Sequence, residues 1–375
     1  MKRLTEAQKT WHLHRARYEA IRRSRRRPVS ASGAITGTKT DWNHRLPSPS
    51  PAAIPPKQYI GRGLRRKLYN FIEPPPVLSL RRNYHAVASF FQHLRHEIYR
   101  DRVPGGILHS VAFEAIKEVS PSAALILAAE LYRWQQFVNR RLSAVNHERW
   151  DPGVAKIFRN MGLFDFLQTP NMGGRQASPS TDGEMEVIKY RSGVEVLGEK
   201  CDDLLKHITE ISGPINAEHF IYDGLIEALK NSKQHAYLEG QQWFGVAPGT
   251  WFMSGAYDRG ERRLTAAVFD LGVGIPKTLP RSGAWEHLRP YLTLGSSDDG
   301  QMIAAAMEYG RTRTHLQERG NGLPTMMRIL DHHTGYLRIM SGTGEALYDS
   351  VKKTISSKNH DVALGGTLIE WSISK

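Results

Sequence analysis

Glu227-Ala-Leu-Lys-Asn231-Ser-Lys-Gln-His235 sets a carboxylate, a carboxamide and an imidazole four residues apart, which stacks them on one face of a helix. Beside them Ile221, Leu225, Ala228, Leu229, Ser232 and Ala236 form an apolar or small stripe suited to face a core, so the polar stripe falls at the core's edge. The helix is expected to open near Ser212-Gly213-Pro214, with proline just inside its start, where a missing N–H costs nothing. A carboxylate and a carboxamide held together at such an edge suit the grip of a hydrated Mg²⁺ and a water beside a triphosphate.

Three further motifs follow in order. Asp270-Leu-Gly272-Val-Gly274-Ile-Pro comes directly after the apolar run 264–269. That run follows 251–257 across Asp258-Arg-Gly260-Glu, so the pair reads as a hairpin that delivers Asp270 to a strand end. A carboxylate there can accept from an exocyclic amine such as adenine's, and two glycines allow close approach to the backbone. Arg319-Gly320-Asn-Gly322-Leu323-Pro precedes Met326, Met327 and Leu330 at helical spacing, so its glycines open a helix whose free N–H groups suit phosphate. Gly365-Gly366-Thr367 leads into a closing strand over 368–373, with a hydroxyl for the base or an adjoining water. Singly, each motif has an ordinary explanation as a polar helix face, a turn or a loop. Their order and spacing carry the reading.

Taken together, Glu-x-x-x-Asn, Asp-x-Gly-x-Gly, Gly-x-Gly-Leu and Gly-Thr before a last strand resemble the ATP-binding domain shared by histidine kinases, gyrase, the ninety-kilodalton heat-shock chaperone and MutL. The resemblance covers the C-terminal two-fifths of the chain. It implies ATP and Mg²⁺ as cofactors, with Asn231 as the metal ligand and Glu227 as the catalytic residue that orients or activates water. It implies that Asp270 reads the adenine amine with help from Thr367, that Gly272 and Gly274 line the site, and that Gly320, Gly322 and Leu323 lie at the phosphates. His235 matches a position where the kinase branch carries His or a basic residue.

The fold expected from these signals is α+β and α/β. A two-layer α/β sandwich at 193–375, its mixed sheet covered by helices on one face, follows a smaller α/β domain at 77–192 and a disordered basic arm and linker at 1–76. The chain has 375 residues, a net charge of +14 and a single cysteine, Cys201, which excludes an intramolecular disulfide framework and a cysteine zinc site. No long uncharged apolar run offers a membrane span, and a cytoplasmic location is expected. Positive charge is concentrated in residues 1–28, ending Arg22-Arg-Ser-Arg-Arg-Arg27-Pro28, and in 62–67. Such an arm can bind nucleic acid weakly and without sequence choice, or stay a solvated tail. Residues 30–56 read as linker, with Pro74-Pro-Pro76 closing the region.

In the middle segment, 77–80 reads as a short strand, 86–98 as a helix, 107–116 as a buried strand, 121–137 as an Ala- and Leu-rich helix, 154–161 as a helix and 187–190 as a returning strand, around a loop at 168–185. Val119-Ser120-Pro121-Ser122-Ala-Ala-Leu125 resembles the phosphoacceptor turn of STAS domains. Ser122 aligns with the acceptor serine, but Ser120 stands where that family has Asp. The same letters also spell an ordinary helix N-cap. His96-Glu97-Ile98 resembles the acceptor helix of histidine kinases, but Arg102-Val-Pro104-Gly-Gly breaks the helix before a paired one can form.

The long segment 276–319 corresponds by resemblance to an ATP lid, with a helix at 298–309 and with Arg311 and Arg313 as charge stabilisers. An ATP domain that closes at Lys375 is similar in arrangement to kinases, including the mitochondrial pyruvate dehydrogenase kinases, whose Gly-x-Gly-Leu-Pro matches Gly320-Asn-Gly-Leu-Pro324. Transfer of phosphate to protein and to water are both open, as are a nucleotide-gated binding module and a nucleic-acid-associated ATPase. A protein partner or phosphoacceptor is expected, and a homodimer is compatible with the reading.

Overall fold

The computed structural model describes residues 69–100, 108–168, 185–281, 285–288, 292, 298–312 and 322–375. The arm at 1–28, the linker at 30–56, residues 169–184, Arg313 and Gly320 lie outside them. Within the stretch expected to be linker up to residue 76, β1 (Tyr69–Ile72) is a strand. Its aromatic and β-branched residues favour a pleated, half-buried surface over a linker.

Next come β2 (Val77–Leu78), α1 (Leu80–Arg100), β3 (Leu108–Val111), β4 (Glu118–Val119) and α2 (Pro121–Val138). They are followed by α3 (Pro152–Met161) and α4 (Leu163–Phe166). Among the described residues, parallel pairing is confined to two short ladders, β1 with β3 and β2 with β4. The helix starts follow local chemistry. Ser120 accepts from the N–H of Ala123 ahead of Pro121, and Asp151 accepts from Gly153 and Val154 ahead of α3. The N-cap reading of Ser120-Pro121 is therefore the one the structure adopts.

The rest of the chain forms β5 (Met185–Val187), β6 (Arg191–Gly193), α5 (Gly198–Ser212), α6 (His219–Gln234), β7 (Trp251–Asp258) and β8 (Arg263–Asp270). Then come α7 (Ile275–Thr278), α8 (Trp285–Leu288), α9 (Asp299–Thr312), α10 (Gly322–Met327), β9 (Gly335–Ser341), β10 (Gly344–Asp349), β11 (Thr354–Asn359) and β12 (Thr367–Ser374). The main sheet runs β11-β10-β9-β12-β8-β7-β5, with β6 also on β7. Every pairing in it is antiparallel, not mixed as expected, because short turns join β7 to β8, β9 to β10 and β10 to β11. The returning strand expected at 187–190 is split between β5 and β6. Three residues, 188–190, oppose Ser254 and Gly255 on β7, a β-bulge.

Alternation along β8 sends Leu264, Ala266 and Val268 into one core with α5 and α6, and Ala267 and Phe269 into the other. The second core contains α1, α2 and α3, so helices cover both faces of the sheet rather than one. The reason is legible in α2. Residues 122–131 are all buried, and a stretch apolar but for Ser122 and Glu130 must be enclosed on every side. It lies between the sheet and α1 and α3, and the core runs continuously past residues 192–193. The described residues, from 69 onward, form one compact unit.

Two polar seams cross this layer. Ser122 donates to Glu370 of β12, both buried, while Arg338 lies near Glu370 and pairs with Glu345 at 3.2 Å. Arg95 of α1 donates to the buried Glu130 of α2 at 2.8 Å, and its guanidinium fills the notch beside Gly365, where any Cβ would collide with it. No helix among the described residues is long and apolar enough to cross a membrane.

Candidate functional site

Helix α6 begins at His219, later than expected, because Ser212 ends α5 and Gly213, at φ 75°, turns the chain out of it. Pro214 thus precedes the helix rather than opening it. The stripe itself falls as read: Ile221, Leu225, Ala228, Leu229 and Ser232 are buried, and Glu227 and Asn231 sit half-buried at its margin. His235 lies at the C-cap and is exposed, its N–H bonded to the Asn231 carbonyl.

Helix α10 packs along α6 and brings Gly322 to the polar stripe. A Cβ on Gly322 would stand 3.4 Å from Glu227 Oε2 and 3.5 Å from Asn231 Nδ2, so the missing side chain leaves both groups approachable. Lys230 Nζ donates to Glu227 Oε1 at 2.6 Å. The Asn231 carboxamide takes no hydrogen-bond partner among the described residues, which leaves its oxygen available as a hard ligand. Leu323 turns partly into the core beside them.

Asp270 ends β8 against the C-terminal part of α6, 5 % exposed. The N–H of Gly272 donates to its Oδ1 at 2.9 Å, and Ser232 Oγ of α6 lies 3.3 Å from its Oδ2. Ser232 also donates to the Ala228 carbonyl at 3.1 Å, so its one proton is shared between two acceptors. Burial pushes the Asp270 carboxyl up to about 6, against the opposing pull of hydrogen bonds from Gly272, Ser232 and the Thr367 backbone. Tyr237 closes the far side: its hydroxyl accepts from the N–H of Leu271 at 3.1 Å and donates to the Thr250 carbonyl at 2.5 Å.

The registers of β8, β12 and β9 set Asp270, Thr367 and Ser341 side by side on the face that meets α6. Thr367 and Ser341 hydroxyls are 2.9 Å apart, and Ser341 Oγ accepts from the N–H of Ile275 at 2.8 Å. Ser341 ties the loop after Asp270 to β9. Gly272 and Gly274 have structural reasons of their own. A Cβ at Gly272 would overlap the Ala236 carbonyl at the end of α6, and Gly274 adopts φ 94°.

The gathered set is therefore Glu227, Asn231, Gly322, Asp270 and Thr367, on two helices and two adjacent strands around one face. Gly320 and Arg313 lie outside the described residues, and nothing is described of the Arg311 side chain. Ser341 and Tyr237 carried no sequence signal, since a lone serine or tyrosine in a strand or loop has none. Among the described residues no three His, Cys, Asp or Glu side chains converge as a metal cage. A cation that shares its ligands between one carboxamide and a triphosphate needs none. An apolar crevice lined by Ile221, Leu264, Ala266, Ile329, Trp371 and Ile373 offers no polar group to a ligand.

Elsewhere, His96 sits exposed on α1 beside Glu97, at 3.3 Å. Ser122, the residue matched to a phosphoacceptor, is buried with its hydroxyl given to Glu370, so it offers no nucleophile to a phosphoryl donor. In comparisons with known proteins, no family model and no curated protein matches the chain.

Proposed function

We propose that the chain is a Mg²⁺-dependent ATP-binding regulatory protein, with a site of the histidine-kinase-like ATPase class in residues 193–375 that transfers phosphate from ATP to water or to a protein. The observation that carries the reading is the convergence of four separate sequence motifs on one face. Gly322 leaves open the space beside Glu227 and Asn231, while Asp270 and Thr367 stand together at the strand ends, with Asp270 3.3 Å from Ser232, the residue after Asn231. The donor set fits the cofactor. Asn231 holds the cation through its oxygen, and Asp270 accepts from the amine of the base in a buried setting where a charged acceptor is strong. Mg²⁺, when bound, supplies charge neutralisation at the phosphates.

Glu227 is the base for the attacking hydroxyl or water, and Lys230 on its Oε1 holds the carboxylate in place. The test separates ground state from turnover. Asn231→Ala is expected to lose Mg²⁺-dependent ATP binding, whereas Glu227→Ala keeps binding and loses turnover at least a hundredfold. Filter binding and release of label from γ-labelled ATP read the two effects. Wild-type values for both variants would return this face to an ordinary polar helix edge.

A further inference from the structure

Ser341 is fully buried and makes two hydrogen bonds, and their order matters. A hydroxyl has one proton and two acceptor positions. The N–H of Ile275 can only donate, so it occupies one acceptor position of Ser341 at 2.8 Å. A hydroxyl that accepts from an amide becomes a better donor, and the acceptor within reach is Thr367 Oγ1 at 2.9 Å. The chain of bonds then runs from Ile275 N–H to Ser341 to Thr367. It leaves Thr367 with its own proton free to be donated outward from the row it shares with Asp270.

We propose that Ser341 is a positioning residue that fixes Thr367 as a donor beside the acceptor Asp270, and that it thereby sets the purine preference of the site. The inference rests on the ATP reading above. The chemistry follows from the two purine edges. Adenine offers a donor amine at C6 and an acceptor at N1, which matches an acceptor carboxylate next to a donor hydroxyl. Guanine offers an acceptor at C6 and a donor at N1, the reverse order. A threonine free to rotate could serve either edge and would discriminate less. Rejection by mismatched buried hydrogen-bonding groups is stronger than rejection by shape alone.

The experiment is a titration of wild type, Ser341→Ala, Thr367→Ala and the double variant with Mg-ATP and Mg-GTP, after circular dichroism and thermal melting have shown each protein folded. Ser341→Ala is expected to weaken ATP about tenfold and to narrow the ATP-to-GTP preference by a similar factor. In the Thr367→Ala background the same change should have no further effect on that preference, because Ser341 acts through Thr367. Ser341→Cys, close in volume and poor in hydrogen bonding, takes the place of Ser341→Ala if the latter does not fold. An unchanged ATP-to-GTP ratio in Ser341→Ala overturns the inference. So does an equal loss in both backgrounds, which would make Ser341 a brace for the Gly274–Ile275 loop only. Wild type that binds neither nucleotide removes the ATP reading and this inference together; wild type that prefers ATP while Ser341→Ala behaves identically removes the inference alone.

Discussion

Asp270 is held where its charge is unwelcome. Its carboxyl stands near 6 instead of 3.8 because burial outweighs three hydrogen bonds, at a cost of about 3 kcal/mol for keeping the ionised form. The sign follows directly. Between those two values the folded chain binds more protons than the unfolded one, so Asp270's contribution to stability falls as pH rises from about 4 to about 6 and is level above. Asp270→Asn should remove that slope in denaturant titrations and melt no lower than wild type at pH 7. The same substitution should weaken ATP ten- to a hundredfold, since an amide can present a donor to the base amine. In wild type, ATP affinity should drop below pH 6 toward tenfold per pH unit as the acceptor protonates. A flat affinity from pH 5 to 8, measured calorimetrically, would detach Asp270 from the base. At this scale the sequence pointed to the charged residues and to Gly322 of the candidate set, which belong to spaced motifs. It was silent on Ser341 and Tyr237, which join the site only through strand register and loop return.

Helix α2 shows what periodicity can and cannot convey. Its existence and its Ser120-Pro121 start were plain from the letters, and so was the β7–β8 hairpin. Its placement was not, because a stretch apolar but for Ser122 and Glu130 gives little sign of which neighbour it faces. The consequence falls on Ser122, which looked like an acceptor at a helix start and is instead sealed against Glu370. Ser122→Asp should destabilise the fold by about 3–5 kcal/mol, since it sets a second carboxylate in a closed space. Chemical denaturation reads that loss, and peptide mass spectrometry after incubation with ATP should find Ser122 unmodified. A Ser122→Asp protein as stable as wild type would mean the helix opens there. The late start of α6 has a similar origin: Ser-Gly-Pro signals an end as readily as a beginning, and Gly213 spends it on closing α5.

At the scale of the molecule, the sheet is the middle layer of three, and neither face could be left wet. Phe252, Ala267, Phe269, Met340 and Leu368 share a core with the α1–α3 layer. A fragment of residues 193–375 should therefore expose an apolar sheet face and lose the edge supplied by β5. Expressed alone, it is expected to bind hydrophobic dye and aggregate, whereas residues 69–375 melt in one cooperative transition. A monodisperse, cooperatively melting fragment would show the layers to be independent. The continuity of the core past 192–193 was hard to see in advance because composition shifts between helical and strand-rich stretches mark local structure, not the limits of a shared core. The Arg95 guanidinium seated beside Gly365 gives this layering a further meaning. Thr367 lies two residues beyond that notch, so the turn that leads into β12 is also the seat of Arg95, which Glu130 ties to α2. Were a ligand at Thr367 to alter how α1 is held, linkage would make the effect mutual, by the same factor in each direction. The helical layer and the strand ends thus share one guanidinium, that of Arg95.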